Sequence, residues 1–167
     1  MRTVASVMLA SGCLLAALFT VPTIAAASGK ARVDGRERAM VRGINSQRAR
    51  HGLASVRISS RLAHAADYHS WEMLHADYFD HASRNGESFD RRVRRFANHR
   101  ALGETLAMLG GCKRGSARQI VNMWMNSPGH RAILLSGKFQ RIGLAKRTGS
   151  LNGNPACVVT ADFASRK

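Results

Sequence analysis

The chain has 167 residues, with 26 Lys and Arg against 10 Asp and Glu and a formal net charge of +16 at pH 7. This length is enough for one domain with a real hydrophobic core, and no segment after residue 27 is apolar enough to span a membrane. A field this positive attracts phospholipid headgroups, anionic wall polymers or nucleic acid, although the charge is equally consistent with a role in solubility alone.

Residues 1–27 have the features of a secretory signal peptide. Arg2 gives a short positive start, residues 4–21 are mostly apolar, and residues 25–27 are three alanines that form a small-residue cleavage site. A retained membrane anchor is the alternative, because the apolar stretch approaches spanning length. We expect cleavage and export, so the protein is secreted or held in the periplasm or cell envelope. Export makes nucleic acid the least expected natural partner.

Two cysteines, Cys112 and Cys157, remain after cleavage. An even pair in an exported domain predicts a disulfide. Closing a loop of that length would stabilise the fold by roughly 3–4 kcal/mol on a chain-entropy estimate. Metal binding by two isolated cysteines is much less expected.

After a basic lead-in over residues 28–36, a single domain over residues 37–167 is expected to begin with two helices. The first spans residues 37–51, where apolar side chains share one face and Gly52 ends the helix. The second runs from Ser60 to about residue 76. It carries three histidines, which we interpret as surface or partly packed because no two have the i, i+4 spacing of metal ligands on one helix. They are His64, His69 and His75.

A short helix capped by Ser88 follows, with Phe89, Val93 and Phe96 facing inward. Its other faces carry four arginines: Arg91, Arg92, Arg94 and Arg95. Such a cluster is usually a solvated face, yet it is the best single candidate for an anion-binding patch.

The sequence of the second half of the domain predicts a strand over residues 102–107, followed by two helices and two final strands. The Ser116–Gln119 capping box begins one helix, and Ser127 with Pro128 begins the next. His130 then lies in the first turn of that helix, where it either faces water or belongs to a site. Strands over residues 141–145 and 157–163, joined by a hairpin loop over 148–155, complete the domain. Helices early and strands late indicate an α+β fold with an antiparallel sheet.

Taken together in this order, the landmarks resemble the CAP superfamily of cysteine-rich secretory, antigen 5 and pathogenesis-related proteins, in its bacterial form. The matching stretches are Ile44-Asn45 with Arg48 and Gly52, Tyr78-Phe79-Asp80-His81, Gly103-Glu104-Thr105-Leu106, Trp124 to Leu135, Arg141-Ile142-Gly143-Leu144 and Ala161-Asp162-Phe163. They cover nearly the whole mature chain. The resemblance implies a three-layer α–β–α sandwich around a small antiparallel sheet, with a cleft where two histidines and acidic residues meet.

The resemblance also assigns the cleft residues. His81 is the first histidine, Glu104 the acid and His130 the second histidine, while Ser127 occupies the position where eukaryotic members commonly have a second glutamate. Thr105 replaces the usual Asn after the acid. The fourth acidic member of the cleft is therefore missing.

Two neutral imidazoles, His81 and His130, could bind Zn²⁺, with Glu104 as a third ligand or as a hydrogen-bonding residue that orients a histidine. An open fourth position would hold water and permit hydrolysis. The alternative is a buried polar network that ties three segments together. No catalytic residue is assigned, because both cysteines belong to the predicted disulfide and the Ser127 hydroxyl is explained as a helix cap.

The leading hypothesis is an exported, monomeric, disulfide-stabilised module that is more plausibly a binding protein than an enzyme. It would hold an anionic or lipidic component of the cell envelope or extracellular space, through the histidine and glutamate cleft and the arginine-rich face. Two alternatives stay open: a zinc-dependent hydrolase of peptide or cell-wall substrates, and a structural or defence protein with no catalytic site. Fold analogy alone does not choose among them.

Overall fold

The structure, a computed structural model, describes residues 33–111 and 116–166. The predicted signal peptide over residues 1–27, residues 28–32 of the lead-in, and Cys112 lie outside the described residues. Within the described ranges, no helix combines the length and the apolar character that a membrane crossing requires.

Helices and strands alternate irregularly along the described chain. The helices are α1 (Gly35–Arg50), α2 (Ser60–His75), α3 (Phe89–Arg94), α4 (Ala117–Asn126) and α5 (Pro128–Leu134). The strands are β1 (Arg57–Ile58), β2 (Leu102–Leu109), β3 (Arg141–Leu151) and β4 (Asn154–Ala164).

Local sequence explains most of the helix starts. Asp34 caps α1, since its side chain accepts from the backbone N–H of Glu37 while the Glu37 side chain accepts from the backbone N–H of Asp34. This capping box places the start of α1 two residues before the predicted one. Ser116 Oγ accepts from the backbone N–H of Gln119 at 3.1 Å at the start of α4. The side chain of Ser127 makes no such bond, so α5 begins on Pro128 without the predicted side-chain cap.

The four strands form one sheet in the order β1-β3-β4-β2. The three long strands are antiparallel to their neighbours, and the two-residue β1 pairs parallel with β3. Apolar residues of α1, α4 and α5 pack in one core cluster with one face of the sheet, and those of α2 and α3 pack on the other face. The α+β class and the three-layer sandwich are confirmed.

The final hairpin differs from the prediction, because the predicted loop over residues 148–155 is mostly strand. β3 continues to Leu151, β4 begins at Asn154, and only Asn152 and Gly153 form the turn, with φ of 50° and 73°. Two consecutive positive φ values are typical of the type I′ turn that joins twisted strands. The outer part of β3 is exposed and polar, so it lacks the apolar alternation that predicts a strand.

Gly143 sets the distance between α2 and the sheet. A Cβ atom at this position of β3 would lie 1.9 Å from the backbone carbon of Leu62 and 2.0 Å from the backbone nitrogen of Ala63. Farther along α2, the Ser70 hydroxyl donates to Thr160 Oγ1 of β4 at 2.8 Å. The helix therefore lies directly on the sheet, and its end leads into the loop that carries His81.

Cys157 is completely buried in β4, in register with Leu109 at the end of β2. Its predicted disulfide partner, Cys112, follows three residues after Leu109 in the sequence but lies outside the described residues. The Cys112–Cys157 pairing therefore stays a prediction.

Candidate functional site

A cleft of about 440 Å³ opens beside β2, which is an edge strand of the sheet. Its lining is contributed by the loop after α2, by α3, by β2 and by the region of α5. The lining residues are His81, Phe89, Leu102, Gly103, Glu104, Ile133 and Phe139. Most of the wall is therefore apolar, with an imidazole and a carboxylate as its polar groups.

Gly103 allows the apolar wall to close over β2. A Cβ atom here would lie 2.8 Å from Phe139 Cζ and 3.2 Å from Ile133 Cγ2, nearer than a side chain normally comes to another. Trp124 ties α4 to the same strand, since its Nε1–H donates to the backbone oxygen of Leu106 at 2.9 Å. These contacts fix the position of the strand that carries Glu104.

Glu104 is 2% exposed and accepts hydrogen bonds at both carboxylate oxygens. His81 Nδ1 lies 2.8 Å from Oε1, and Arg92 Nη2 donates to Oε2 at 2.5 Å. Because an ionised carboxylate only accepts, His81 carries a proton on Nδ1. Arg92 Nη1 also donates to the backbone oxygen of His81 at 2.9 Å, so the guanidinium holds both members of the pair. The result is a buried network in which the glutamate charge is compensated.

The position of Arg92 corrects one prediction. The four-arginine patch of Arg91, Arg92, Arg94 and Arg95 does not exist as predicted, because the Arg92 side chain is completely buried against Glu104. Arg91, Arg94 and Arg95 are exposed; Arg94 donates to the backbone oxygen of His99 at 2.7 Å, and Arg95 pairs with Glu87 at 3.0 Å. Any anion-binding role of these three exposed arginines stays a prediction.

The helical pattern itself contained the signal for the burial of Arg92. Phe89, Arg92, Val93 and Phe96 stand at i, i+3, i+4 and i+7, which is one face of a helix. The positive charge of Arg92 suggested solvent exposure. Its spacing from the apolar residues of the helix indicated the inward face instead.

Asp162 is a second buried acid of the site, and its role was not predicted. It is completely buried and in register with Glu104 on the neighbouring strand. No N–H or O–H group of the described residues donates to either of its carboxylate oxygens. Burial, and then the charge of Glu104, raise the pKa of Asp162 well above its ordinary value. The neutral form of Asp162 is therefore favoured relative to that of an exposed carboxyl group, and this form can donate a hydrogen bond to Glu104.

His69 is completely buried, which corrects its interpretation as a surface or partly packed residue. Its Nε2 lies 2.9 Å from the backbone oxygen of Asp80, and its Nδ1 lies 3.2 Å from Glu72 Oε2. Burial lowers the pKa of His69. The ring fixes the backbone immediately before His81, so it helps to position the cleft histidine.

His130 lies half-buried in the first turn of α5, and neither His130 nor Ser127 lines the described cleft. Burial lowers the pKa of His130, and the positive charge of His81 lowers it further. The structure therefore joins His81 and Glu104 directly and places His130 where it feels the charge of His81, while Ser127 stays outside the network.

The donor set does not fit the predicted zinc site with Glu104 as third ligand. Both carboxylate oxygens of Glu104 already accept from His81 and Arg92. Over residues 33–111 and 116–166, no group of three or more His, Cys, Asp or Glu side chains is arranged to hold a metal ion. His81 and His130 alone supply only two donors, whereas zinc sites in proteins commonly use at least three. Glu104 instead takes the other role left open by the sequence, the orientation of His81.

His81 and His130 should titrate in a defined order. The hydrogen bond to Glu104 raises the pKa of His81 above the ordinary 6.5, whereas burial lowers that of His130. NMR titration of the imidazole resonances should show His130 losing its proton at lower pH than His81, and Glu104→Gln should lower the pKa of His81. The opposite order would contradict the network.

The raised pKa of His81 has a consequence for the stability of the fold. Its folded pKa is above its unfolded value, so its small stabilising contribution is complete below about pH 6.5. That contribution is lost as the pH rises through the folded pKa, and chemical unfolding at several pH values measures it.

Comparison with known proteins agrees with the fold and the order of these residues. The model of the Cysteine-rich secretory protein family, CAP, matches residues 41–163. Among curated proteins of Bacillus subtilis, the uncharacterized protein YkwD is 32% identical over 118 residues, which are 70% of this chain and 44% of YkwD. The uncharacterized membrane protein YlbC is 33% identical over 101 residues, 60% of this chain and 28% of YlbC. The chain thus spans less than half the length of each relative.

Solved structures show the same fold at low sequence identity. An outer surface protein of Borrelia burgdorferi aligns with a TM-score of 0.68 and 19% identity, over 81% of this chain and 96% of that chain. An extracellular protein of Bacillus anthracis that contains an SCP domain aligns with a TM-score of 0.61 and 24% identity, over 77% of this chain and 40% of that chain.

Proposed function

The chain belongs to the cysteine-rich secretory protein (CAP) family, and we propose that it is an extracellular module that binds an amphipathic anionic ligand in the cleft beside β2. The ligand class is a lipid or lipid-like component of the envelope, with an apolar chain and a negatively charged head. The predicted signal peptide supports an extracellular location. Two structural neighbours, one an outer surface protein and one an extracellular protein, support it as well.

The lining of the cleft is the observation that carries this proposal. Its volume of about 440 Å³ lies within the range of small-molecule sites. Phe89, Leu102, Ile133 and Phe139 offer an apolar surface to a hydrocarbon chain. The one acidic side chain of the lining, Glu104, is neutralised by the buried Arg92 and therefore does not repel an anion.

His81 provides the polar end of the proposed site. His81 is bound to Glu104 through Nδ1 and its side chain is 50% exposed, so in the imidazolium form its Nε2–H is available to an anionic head group. His130 does not line the cleft, but it interacts electrostatically with His81. We expect ligand binding to weaken as the pH rises through the pKa of His81, because the imidazolium charge is then lost.

The proposal is tested by titrating the mature protein with dodecanoate in an isothermal titration calorimeter. Saturable binding is expected, and Ile133→Trp, which fills the cleft, should weaken it at least about tenfold, equal to the burial of about two methylene groups. Met123→Trp is the matched control, because Met123 is an exposed apolar residue of α4 that does not line the cleft. Absence of saturable binding, or equal weakening by both variants, would contradict the proposal.

The two alternatives have less support from the geometry. A zinc-dependent hydrolase needs a ligand set that Glu104 does not complete, since both its oxygens are engaged. A purely structural or defence role is consistent with the buried network, but it gives no reason for an apolar cleft beside that network. Under this role, Ile133→Trp would leave the biological activity intact.

A further inference from the structure

A second groove, of about 480 Å³, lies where α2 begins beside β1 and β3. Its lining residues are Ile58, Ser59, Ser60, Arg61, His99 and Arg141, and none of them lines the cleft beside β2. We propose that this groove binds the phosphate group of a phosphate ester. This site is independent of the proposed lipid cleft.

The arginines of the groove stand where the fold alone disfavours positive charge. Arg61 is the second residue of α2, near the positive end of the helix dipole, and the first turn of α2 has no acidic residue. Arg141 of β3 is in register with Arg57 of β1, so two like charges occupy equivalent positions on adjacent strands. Arg57 does not line the groove, so an anion bound there would contact Arg61 and Arg141 and would offset the repulsion between Arg141 and Arg57.

These arginines also have no side-chain partner among the described residues. Within the described part of the chain, the side chains of Arg57, Arg61 and Arg141 form no ion pair and no hydrogen bond. By contrast, Arg147 holds Asp67 through two hydrogen bonds of 2.6 and 2.7 Å. Guanidinium groups with no acid beside them are suited to bind the paired oxygens of a phosphate.

Two serines add neutral donors at the same place. The Ser59 hydroxyl accepts from the backbone N–H of Leu62 at 3.5 Å, a long hydrogen bond that leaves its own proton available. Ser60 is exposed and also lines the groove. A volume of about 480 Å³ is within the range of small-molecule sites, so the groove has room for the group esterified to the phosphate as well.

The test measures binding of sn-glycerol 3-phosphate to the mature protein by calorimetry at constant ionic strength. Saturable binding is expected, and the double variant Arg61→Ala/Arg141→Ala should weaken it at least about tenfold, since two charge-assisted contacts are lost. The control Arg42→Ala/Arg118→Ala removes the same net charge from arginines outside the groove, and Arg118 is likewise the second residue of a serine-capped helix. The control should change the affinity less than about twofold. No saturable binding, or equal weakening by both double variants, would overturn the proposal.

Thermal unfolding separates a lost site from a lost fold. Without ligand, Arg61→Ala/Arg141→Ala should unfold at the same temperature as the parent protein or higher, because like charges have been removed. Glycerol 3-phosphate should raise the unfolding temperature of the parent and of the control variant only. A rise of the same size in Arg61→Ala/Arg141→Ala would overturn the assignment to this groove.

Vesicles identify the source of the phosphate. Binding to phosphatidylglycerol vesicles, but not to phosphatidylcholine vesicles, that is lost in Arg61→Ala/Arg141→Ala assigns the groove to a lipid headgroup. Binding of glycerol 3-phosphate without vesicle binding assigns it to a free phosphate ester. Ile133→Trp should retain phosphate binding, so failure of the lipid-cleft proposal and failure of this one are distinguishable.

Discussion

Gly143→Ala is expected to destabilise the protein by about 3 kcal/mol or more, because the added methyl group has no space. Its Cβ would lie 1.9 Å from the backbone carbon of Leu62, and a backbone atom in a packed helix cannot move aside as a side-chain end can. The variant must either push α2 off the sheet or fail to fold. Urea unfolding followed by circular dichroism measures the change.

Gly129→Ala is the matched control for this variant. Gly129 lies in the first turn of α5, and a Cβ there would have nothing within 4 Å. Since Ala favours helix over Gly, we expect this variant to keep or increase stability by up to about 1 kcal/mol. If Gly143→Ala were as stable as Gly129→Ala, the direct packing of α2 on β3 would be wrong.

The packing of α2 at Gly143 also helps to position the cleft residue His81. α2 carries His69, whose ring holds the backbone of Asp80, and its end leads to His81. A shift of this helix would therefore displace the cleft histidine from Glu104. We expect any folded Gly143→Ala protein to bind dodecanoate more weakly than the parent.

The elements of this fold that bury one apolar face could be predicted from the sequence. α1, α2 and α4 begin within about two residues of their predicted starts, since apolar spacing and capping residues act locally. β1 and the outer half of the final hairpin could not be predicted in the same way. β1 has only two residues, both exposed, and the tip of the hairpin extends beyond the core.

The candidate site was only partly predictable, because it depends on contacts between distant segments. His81 and Glu104 are 23 residues apart, and only the family resemblance placed them together. Arg92 and Asp162 were not assigned to the site, since a charged residue is buried only when a partner or a proton compensates it. That compensation is supplied by tertiary structure: Arg92 pairs with Glu104, and the raised pKa of Asp162 favours its neutral form beside Glu104.

Arg92→Met should destabilise the protein by about 3–5 kcal/mol at pH 7, because it leaves the Glu104 carboxylate buried without its cation. The side chains of Arg92 and Glu104 are 0% and 1% exposed, so water does not replace the lost partner. Arg91→Met removes the same charge from the adjacent exposed position and should change stability by no more than about 0.5 kcal/mol. Urea unfolding of both variants measures the difference.

A second substitution identifies the cause of this destabilisation. The double variant Arg92→Met/Glu104→Gln should recover part of the loss at pH 7, since no unpaired charge remains. If Arg92→Met were as stable as Arg91→Met, the guanidinium would lie in solvent. The four arginines Arg91, Arg92, Arg94 and Arg95 would then again be a candidate anion-binding surface. The structure favours the first outcome, because the guanidinium also donates to the backbone oxygen of His81 at 2.9 Å, a bond that methionine cannot replace.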